Sequence, residues 1–242
     1  MQNAGLDALP PSLIAAIDDL YTAFAPYPWR KTMPACPHCL QTYPGFSEPL
    51  REIPAERLHY YLFKAMSTIG KQADFKHYLP RMLDAWAQQY LGGESILYHE
   101  VLGAKIARAD FDAWPENEQS AMRRCFMELW SLVLAHYPIY PDAEIILCAA
   151  GQFTSLQPFL DAWRETLTTP TLAHLVEMVA NQPTNAYWDS TSHGQNEQQR
   201  LLLWLQETPT NDMIAIARQE AERGNFDFVS QQAGFPLKEY LL

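Results

Sequence analysis

Apolar residues recur three and four positions apart along almost the whole chain, the spacing that gathers them on one face of an α-helix. Between Ser12 and Phe24 the set Leu13, Ile14, Ile17, Leu20, Tyr21 and Phe24 keeps that spacing, and Ser12 is placed to cap the N-terminus. Pro54 sits where a first helical residue belongs. The stripe Leu58, Tyr61, Leu62, Ala65 and Met66 then predicts a helix to about Ile69, stopped by Gly70. Asp74 is expected to cap the next helix, which ends near Leu91 before Gly92-Gly93. Pro80 falls inside that segment, so either the helix kinks there or a short turn precedes a start near Leu79. Further helices are expected at 95–108, 115–137, 142–151, 155–168, 171–181, 195–206, 209–223 and 226–240. No run of alternating β-branched residues predicts a strand, and no fixed repeat period is present. The expected fold is all-α: one irregular multi-helix domain over 1–242, with solenoid-like helix pairs in its C-terminal half.

The segment 26–54 breaks the pattern. It holds seven prolines and few repeating apolar positions, which describes an N-terminal proline-rich arm. Its aromatics, Tyr27, Trp29, Tyr43 and Phe46, predict that the arm packs on the helices.

Composition narrows the class. The 242 residues carry 17 basic and 28 acidic side chains, a formal charge of −11, and are 48% hydrophobic. That is a folded globular composition, and its acidity repels phosphate backbones, so no nucleic-acid partner is expected. No stretch approaches the roughly 20 apolar residues that cross a bilayer, and the first residues lack the basic flank and apolar run of a signal peptide. The expectation is a cytoplasmic protein with no membrane partner. Four scattered cysteines do not form a secreted disulfide framework, and Cys125 and Cys148 lie in apolar helical patterns as buried thiols.

The sharpest chemical motif is Cys36-Pro37-His38-Cys39. Cys-Pro-His-Cys is also the active-site tetrapeptide of disulfide-introducing oxidases with a thioredoxin fold. Such a site follows a buried strand and opens a long helix. Here the flanks, 28–35 and 40–45, offer neither, which weighs against the redox reading. As a metal motif, Cys-x-x-Cys is half of a tetrahedral zinc site. His38 and His77 are the candidate partners of Cys36 and Cys39, with His59 also near in sequence; the cofactor would be a structural zinc. The plain alternative is that both cysteines pack the arm on the helices.

Hydrolase, zinc-protease and phosphate-loop motifs are absent, and ten glycines form no nucleotide cradle. His174 and Glu177 share one helical face, a spacing expected of a surface or boundary pair. Lys71, Lys76 and Arg81 form a basic cluster that either binds an anion or pairs internally, for instance Arg81 with Asp84 or Glu52.

The cysteine arm, followed by Asp74-Phe75-Lys76-His77-Tyr78-Leu79-Pro80-Arg81 and a Trp-rich helical tail, resembles a group of uncharacterised helical bacterial proteins with a Cys-x-His-Cys arm and an Asp-Phe-x-His-x-Leu-Pro-Arg motif. The resemblance covers the first half of the chain. It implies bacterial origin and a helical fold, and it brings no catalytic residue with it.

Charge supplies the functional expectation. Residues 1–124 carry 12 basic and 14 acidic side chains, and residues 125–242 carry 5 and 14. An acidic helical surface suits a basic protein partner. The expected function is therefore a non-catalytic protein-binding protein, in the manner of an immunity protein neutralising a bacterial toxin. Asp161, Glu165, Asp189 and Glu207 are the expected contacts, and Trp188, in a polar stretch, is either the aromatic anchor or a ring folded back over the core. The alternative is a metal-dependent enzyme built around Cys36 and Cys39, drawing on His59, His77 and His99 and the acids Glu56, Asp84 and Glu100.

Overall fold

The structure, a computed structural model, describes residues 6–31, 33–42, 45–92 and 98–227. Among them the secondary structure is helical, with two isolated backbone bridges and no strand. Among the described residues no helix is long and apolar enough to cross a membrane. The chain separates into two compact units, one spanning Leu6–Cys125 and the other beginning at Phe126. The helix expected at 226–240 falls almost wholly outside the described residues, as does Tyr43 of the proline-rich segment.

The first unit contains α1 (Pro11–Ala23), α2 (Pro37–Thr42), α3 (Ala55–Lys64), α4 (Gln72–Gln89) and α5 (His99–Arg108), and the opening turns of α6 (Glu116–Ala135). Its centre is α4, which packs on α1 and α3. Phe75, Tyr78, Leu79, Met82, Leu83, Ala85, Trp86 and Ala87 are all buried, so apolar residues wrap most of the way round the helix, as they must in a core element. α4 runs unbroken through Pro80. Its start differs from expectation: Asp74 lies in the first turn, where its Oδ2 accepts the Lys71 N–H at 2.8 Å, a bond across the helix N-terminus. Ser12 likewise lies inside α1, because Pro10 and Pro11 already fix the backbone angles of the helix start.

Among the described residues of 26–54, Phe46 packs on the helices while Trp29 is exposed. Phe46 is buried between Tyr61 and Tyr78, Trp29 donates from Nε1 to the Phe46 carbonyl at 3.2 Å, and Arg57 bonds both Glu48 and the Gly45 carbonyl. Arg81, the end of the basic cluster, lies 3.4 Å from Asp84, so internal pairing accounts for its charge.

The second unit contains the remainder of α6, α7 (Ala143–Gly151), α8 (Gln157–Glu165), α9 (Thr169–Asn181), α10 (Ser192–Trp204) and α11 (Thr208–Glu222). Prolines in the first turn start α8, α9 and α11. Asp142 caps α7 by accepting the Ile145 N–H at 3.1 Å, and Thr191 caps α10 through the Gly194 N–H at 2.8 Å. α7 is the central element: every residue but Glu144 is buried, and α9 and α10 pack against it. A tryptophan row forms the rest of the core. Trp130 meets Trp163 edge-on at 5.2 Å, and Trp163 stacks on Trp204 at 5.3 Å.

Candidate functional site

Three groups of residues can carry function, and each is built differently. The cysteine motif lies in the first unit. Backbone pairing holds it rigidly: the Cys36 N–H donates to the Thr68 carbonyl at 3.1 Å, and the Gly70 N–H donates to the Pro34 carbonyl at 2.7 Å. The turn that receives it needs positive φ at Met66 (59°) and Gly70 (69°), a conformation that glycine adopts freely. Cys36 stands just before α2. The Cys39 N–H points at Cys36 Sγ at 3.3 Å, and the two sulfurs are 2.8 Å apart. The hydrogen bond from Cys39 Sγ lowers the Cys36 pKa most, aided by the Cys39 and His38 amides and by the Lys64 charge. Cys36 is partly exposed and Cys39 buried.

The expected zinc partners are placed differently. His38 is exposed on α2, while His77 bonds the Tyr27 carbonyl through Nδ1 at 2.7 Å and lies edge-on to Tyr78. His59 packs against the rings of Phe63 and Tyr98, which also touch each other, and His99 bonds Gln89 Oε1 at 2.9 Å against the Trp86 ring. Among the described residues no three His, Cys, Asp or Glu side chains gather as a metal ion requires. The structure thus brings Cys36 and Cys39 together, while the Nδ1 of His77 is engaged by the Tyr27 carbonyl.

The acidic face lies in the second unit. Asp161 and Glu165 are exposed on α8, whose opposite face buries Phe159, Leu160 and Trp163. Asp189 is exposed in the 3₁₀ turn Ala186–Ser190, and Glu207, just before α11, pairs with Arg164 at 2.7 Å. Trp188 is a correction. It is 1% exposed, so its ring is a core element and offers no anchor to a partner. The turn that carries it packs on α7 and α10, where Gly151 and Gly194 clear the space: a methyl group on Gly151 would lie 2.8 Å from the indole. The polar residues around Trp188 concealed this in the sequence, since Gly151 is distant along the chain and Gly194 lies on the helix that follows the turn.

The third group emerges only in three dimensions. A small cleft is lined by Asp142, Ala143 and Glu144 from the start of α7, and by His174, Glu177, Met178, Asn181 and Gln182 from α9 and its end. Each acid is held in place. Asp142 caps α7, Glu144 Oε1 accepts the Asn185 N–H at 2.7 Å and faces Trp188 Nε1 at 3.4 Å, and Glu177 accepts the Tyr137 hydroxyl. Burial raises the pKa of Glu144, as does the charge of Asp142; Glu177 is raised by burial and by the charges of Asp142 and Glu144. His174 is 2% exposed, and burial pushes its pKa down to about 4, so its ring is neutral. Its Nε2 lies 3.0 Å from the Val133 carbonyl and 2.8 Å from the His136 carbonyl, which makes Nε2 the protonated nitrogen and Nδ1 an acceptor. Nδ1 has no hydrogen-bond partner among the described residues. The pairing of His174 with Glu177 on one helical face was visible in sequence. The arrival of Asp142 and Glu144 from another helix was not.

No protein-family model, curated protein or solved structure matches this chain.

Proposed function

We propose that the chain is a non-catalytic protein-binding protein whose second unit docks a basic partner, in the manner of an immunity protein that neutralises a bacterial toxin. One observation carries the reading. Arg164, Arg200 and Arg223 pair with Glu207, Glu197 and Glu220 of the same unit, which leaves exposed Arg218 as the one other described arginine, while Asp161, Glu165, Asp189, Asp212 and Glu222 are exposed and form no ion pair among the described residues. The unit therefore presents fixed negative charge that its own cations do not neutralise. Such a surface accelerates encounter with a basic protein and disfavours acidic competitors.

The test is recovery of a partner from the native host with the full chain as bait. A basic protein should be recovered in stoichiometric amount. Its association rate should fall as salt rises, and Glu165→Lys with Asp189→Lys should weaken the complex while the chain stays folded. A partner indifferent to salt and to both reversals rejects the acidic-surface reading.

The second reading, a metal-dependent enzyme around Cys36 and Cys39, is supported by the amide-to-sulfur bond and the close sulfurs. Elemental analysis of the purified chain addresses it: about one zinc per chain, lost in Cys36→Ser with Cys39→Ser, supports a metal site.

A further inference from the structure

We infer that Cys36 and Cys39 are a redox-active dithiol that closes to an intramolecular disulfide by exchange with low-molecular-weight disulfides, Cys36 attacking and Cys39 resolving.

The two sulfurs are already in contact. Cys36 Sγ lies 2.8 Å from Cys39 Sγ, and both residues are held as thiols. A disulfide bond brings its sulfurs to about 2.05 Å, so closure asks for a shift of under about 1 Å. Spacing and backbone pairing produce this contact. Cys36 stands just before α2 and Cys39 lies in its first turn, three positions on, where side chains share a face. The Cys36 N–H donates to the Thr68 carbonyl at 3.1 Å, Ala35 bridges Ile69 in antiparallel sense, and the Gly70 N–H donates to the Pro34 carbonyl at 2.7 Å. The flanking sequence offers no strand to seat the motif, and this pairing with the turn at 66–70 seats it instead.

Exposure divides the roles. Cys36 is partly exposed beside exposed Pro37 and His38, whereas Cys39 is 4% exposed. A dissolved disulfide therefore meets Cys36 first. The Cys39 N–H, directed at Cys36 Sγ from 3.3 Å, favours negative charge on that sulfur, which carries it as the attacking group and, in the reverse reaction, as the leaving group. Cys125 and Cys148 are 0% exposed and take no part.

The exchange balances without any further reactant. Cys36 releases its proton to solvent and its sulfur attacks one sulfur of the disulfide RSSR; the new S–S bond forms as the old one breaks, and RS⁻ leaves with the electron pair. Cys39 gives its proton to that RS⁻ and its sulfur attacks Cys36 Sγ, which expels the second RS⁻ to be protonated from solvent. Two protein thiols are oxidised to one disulfide, and RSSR is reduced to two RSH. A tetrahedral zinc needs four ligands, and among the described residues no third His, Cys, Asp or Glu joins the pair as a metal ion requires. A disulfide needs only the two sulfurs. The inference is independent of the acidic surface and competes with the metal reading for the same atoms.

Incubation of the reduced full chain with glutathione disulfide, followed by acid quench, alkylation and peptide mass mapping, tests it. The Cys36 and Cys39 thiols should disappear together, the peptide that carries both should be lighter by one pair of hydrogens, and dithiothreitol should restore both thiols. Cys39→Ser should stop at a mixed disulfide on Cys36. Cys36→Ser leaves the covered thiol alone and should react at least about tenfold more slowly than Cys39→Ser in the folded chain, the difference vanishing in urea. Circular dichroism identifies a variant that has lost its fold, and the parent chain by itself still decides whether the pair closes. The inference is overturned if the parent keeps both thiols under excess glutathione disulfide, if it rests at the mixed disulfide, or if the two folded single variants react at equal rates. A parent chain that carries about one zinc and closes only after chelation overturns it in favour of the metal reading.

Discussion

Lys76 Nζ lies 2.7 Å from Glu118 Oε2, with both side chains only 5% exposed. Around this pair the first unit closes its polar accounts. Tyr27 donates its hydroxyl to Glu118 Oε1 at 2.6 Å, the Lys76 ammonium also reaches that hydroxyl at 3.0 Å, and the Trp114 ring lies 4.2 Å from the charge. Desolvating two charges is unfavourable, and only this degree of satisfaction makes the arrangement tolerable. Lys76 thus has an internal role, unlike the anion-binding role open to a basic cluster in an acidic chain.

Removing one partner leaves the other charged and buried. Lys76→Met and Glu118→Leu should each destabilise the first unit by about 3–5 kcal/mol. The double variant should recover much of that loss, because no uncompensated charge remains. Urea unfolding of the three variants measures both effects. A double variant as unstable as the sum of the singles would mean that the pair carries more than mutual neutralisation.

The two cysteine environments predict selective thiol chemistry. Cys36 is partly exposed with its pKa lowered by the Cys39 thiol and neighbouring amides, whereas Cys125 and Cys148 are fully buried. A thiol reagent should modify Cys36 first in the folded chain. Because a lowered pKa yields thiolate earlier, the labelling rate should rise with pH through a midpoint below that of a free cysteine peptide. Mass spectrometry of the labelled chain locates the site, and Cys36→Ser should abolish the fast phase. Equal labelling of all four cysteines would refute the geometry.

Gly194 predicts a steric penalty with no change in polarity. A methyl group there would lie 2.7 Å from the Trp188 carbonyl and 2.5 Å from Gln152 Nε2. The carbonyl belongs to backbone and cannot swing aside. Gly194→Ala should therefore destabilise the second unit by about 1–3 kcal/mol, and Trp188→Ala, which empties a core site, by about 3–5 kcal/mol. Denaturant midpoints test both. A Trp188→Ala chain as stable as the parent would return the indole to the surface.

The all-α class was legible because a helix announces itself locally. Leu58, Tyr61 and Leu62 of α3 and the first-turn proline of α11 are readable within a few residues, but α3 ends at Lys64 and not near Ile69, because the chain turns at Met66 with positive φ, and α9 begins at Thr169, ahead of the expected 171. The cap of α4 was placed three residues late, at Asp74 and not Lys71, since Asp74 bonds back to Lys71 from inside the first turn. Function is a matter of convergence, which periodicity does not encode. His174 and Glu177 could be paired from their spacing, but their relation to Glu144 depends on how α9 packs on α7. The reading of Trp188 as an anchor failed for the same reason: what covers it comes from Gly151 and Gly194 on two other helices.

Buried histidines make stability depend on pH, and the sign differs by residue type. His99 is 1% exposed, and burial pushes its pKa down to about 3. An unfolded chain protonates that ring near pH 6.5, so between the two values the unfolded state binds the extra proton and stability falls as pH falls. At pH 5 the loss from His99 is about 2 kcal/mol relative to pH 7. His59, also lowered by burial, acts in the same direction within this unit. In the second unit His174, at about 4, again favours unfolding in acid. Glu144 and Glu177 oppose it: their folded pKa values are raised, so their contribution is present at low pH and is lost as pH rises through those values. The first unit should therefore be the more acid-sensitive. Urea unfolding at pH 7 and pH 5, followed by tryptophan fluorescence, should show the loss in the parent chain. His99→Leu should have a visibly smaller pH dependence whatever its absolute stability, because the variant has no imidazole to protonate. If the variant keeps the full difference between pH 7 and pH 5, the acid sensitivity originates elsewhere in the chain.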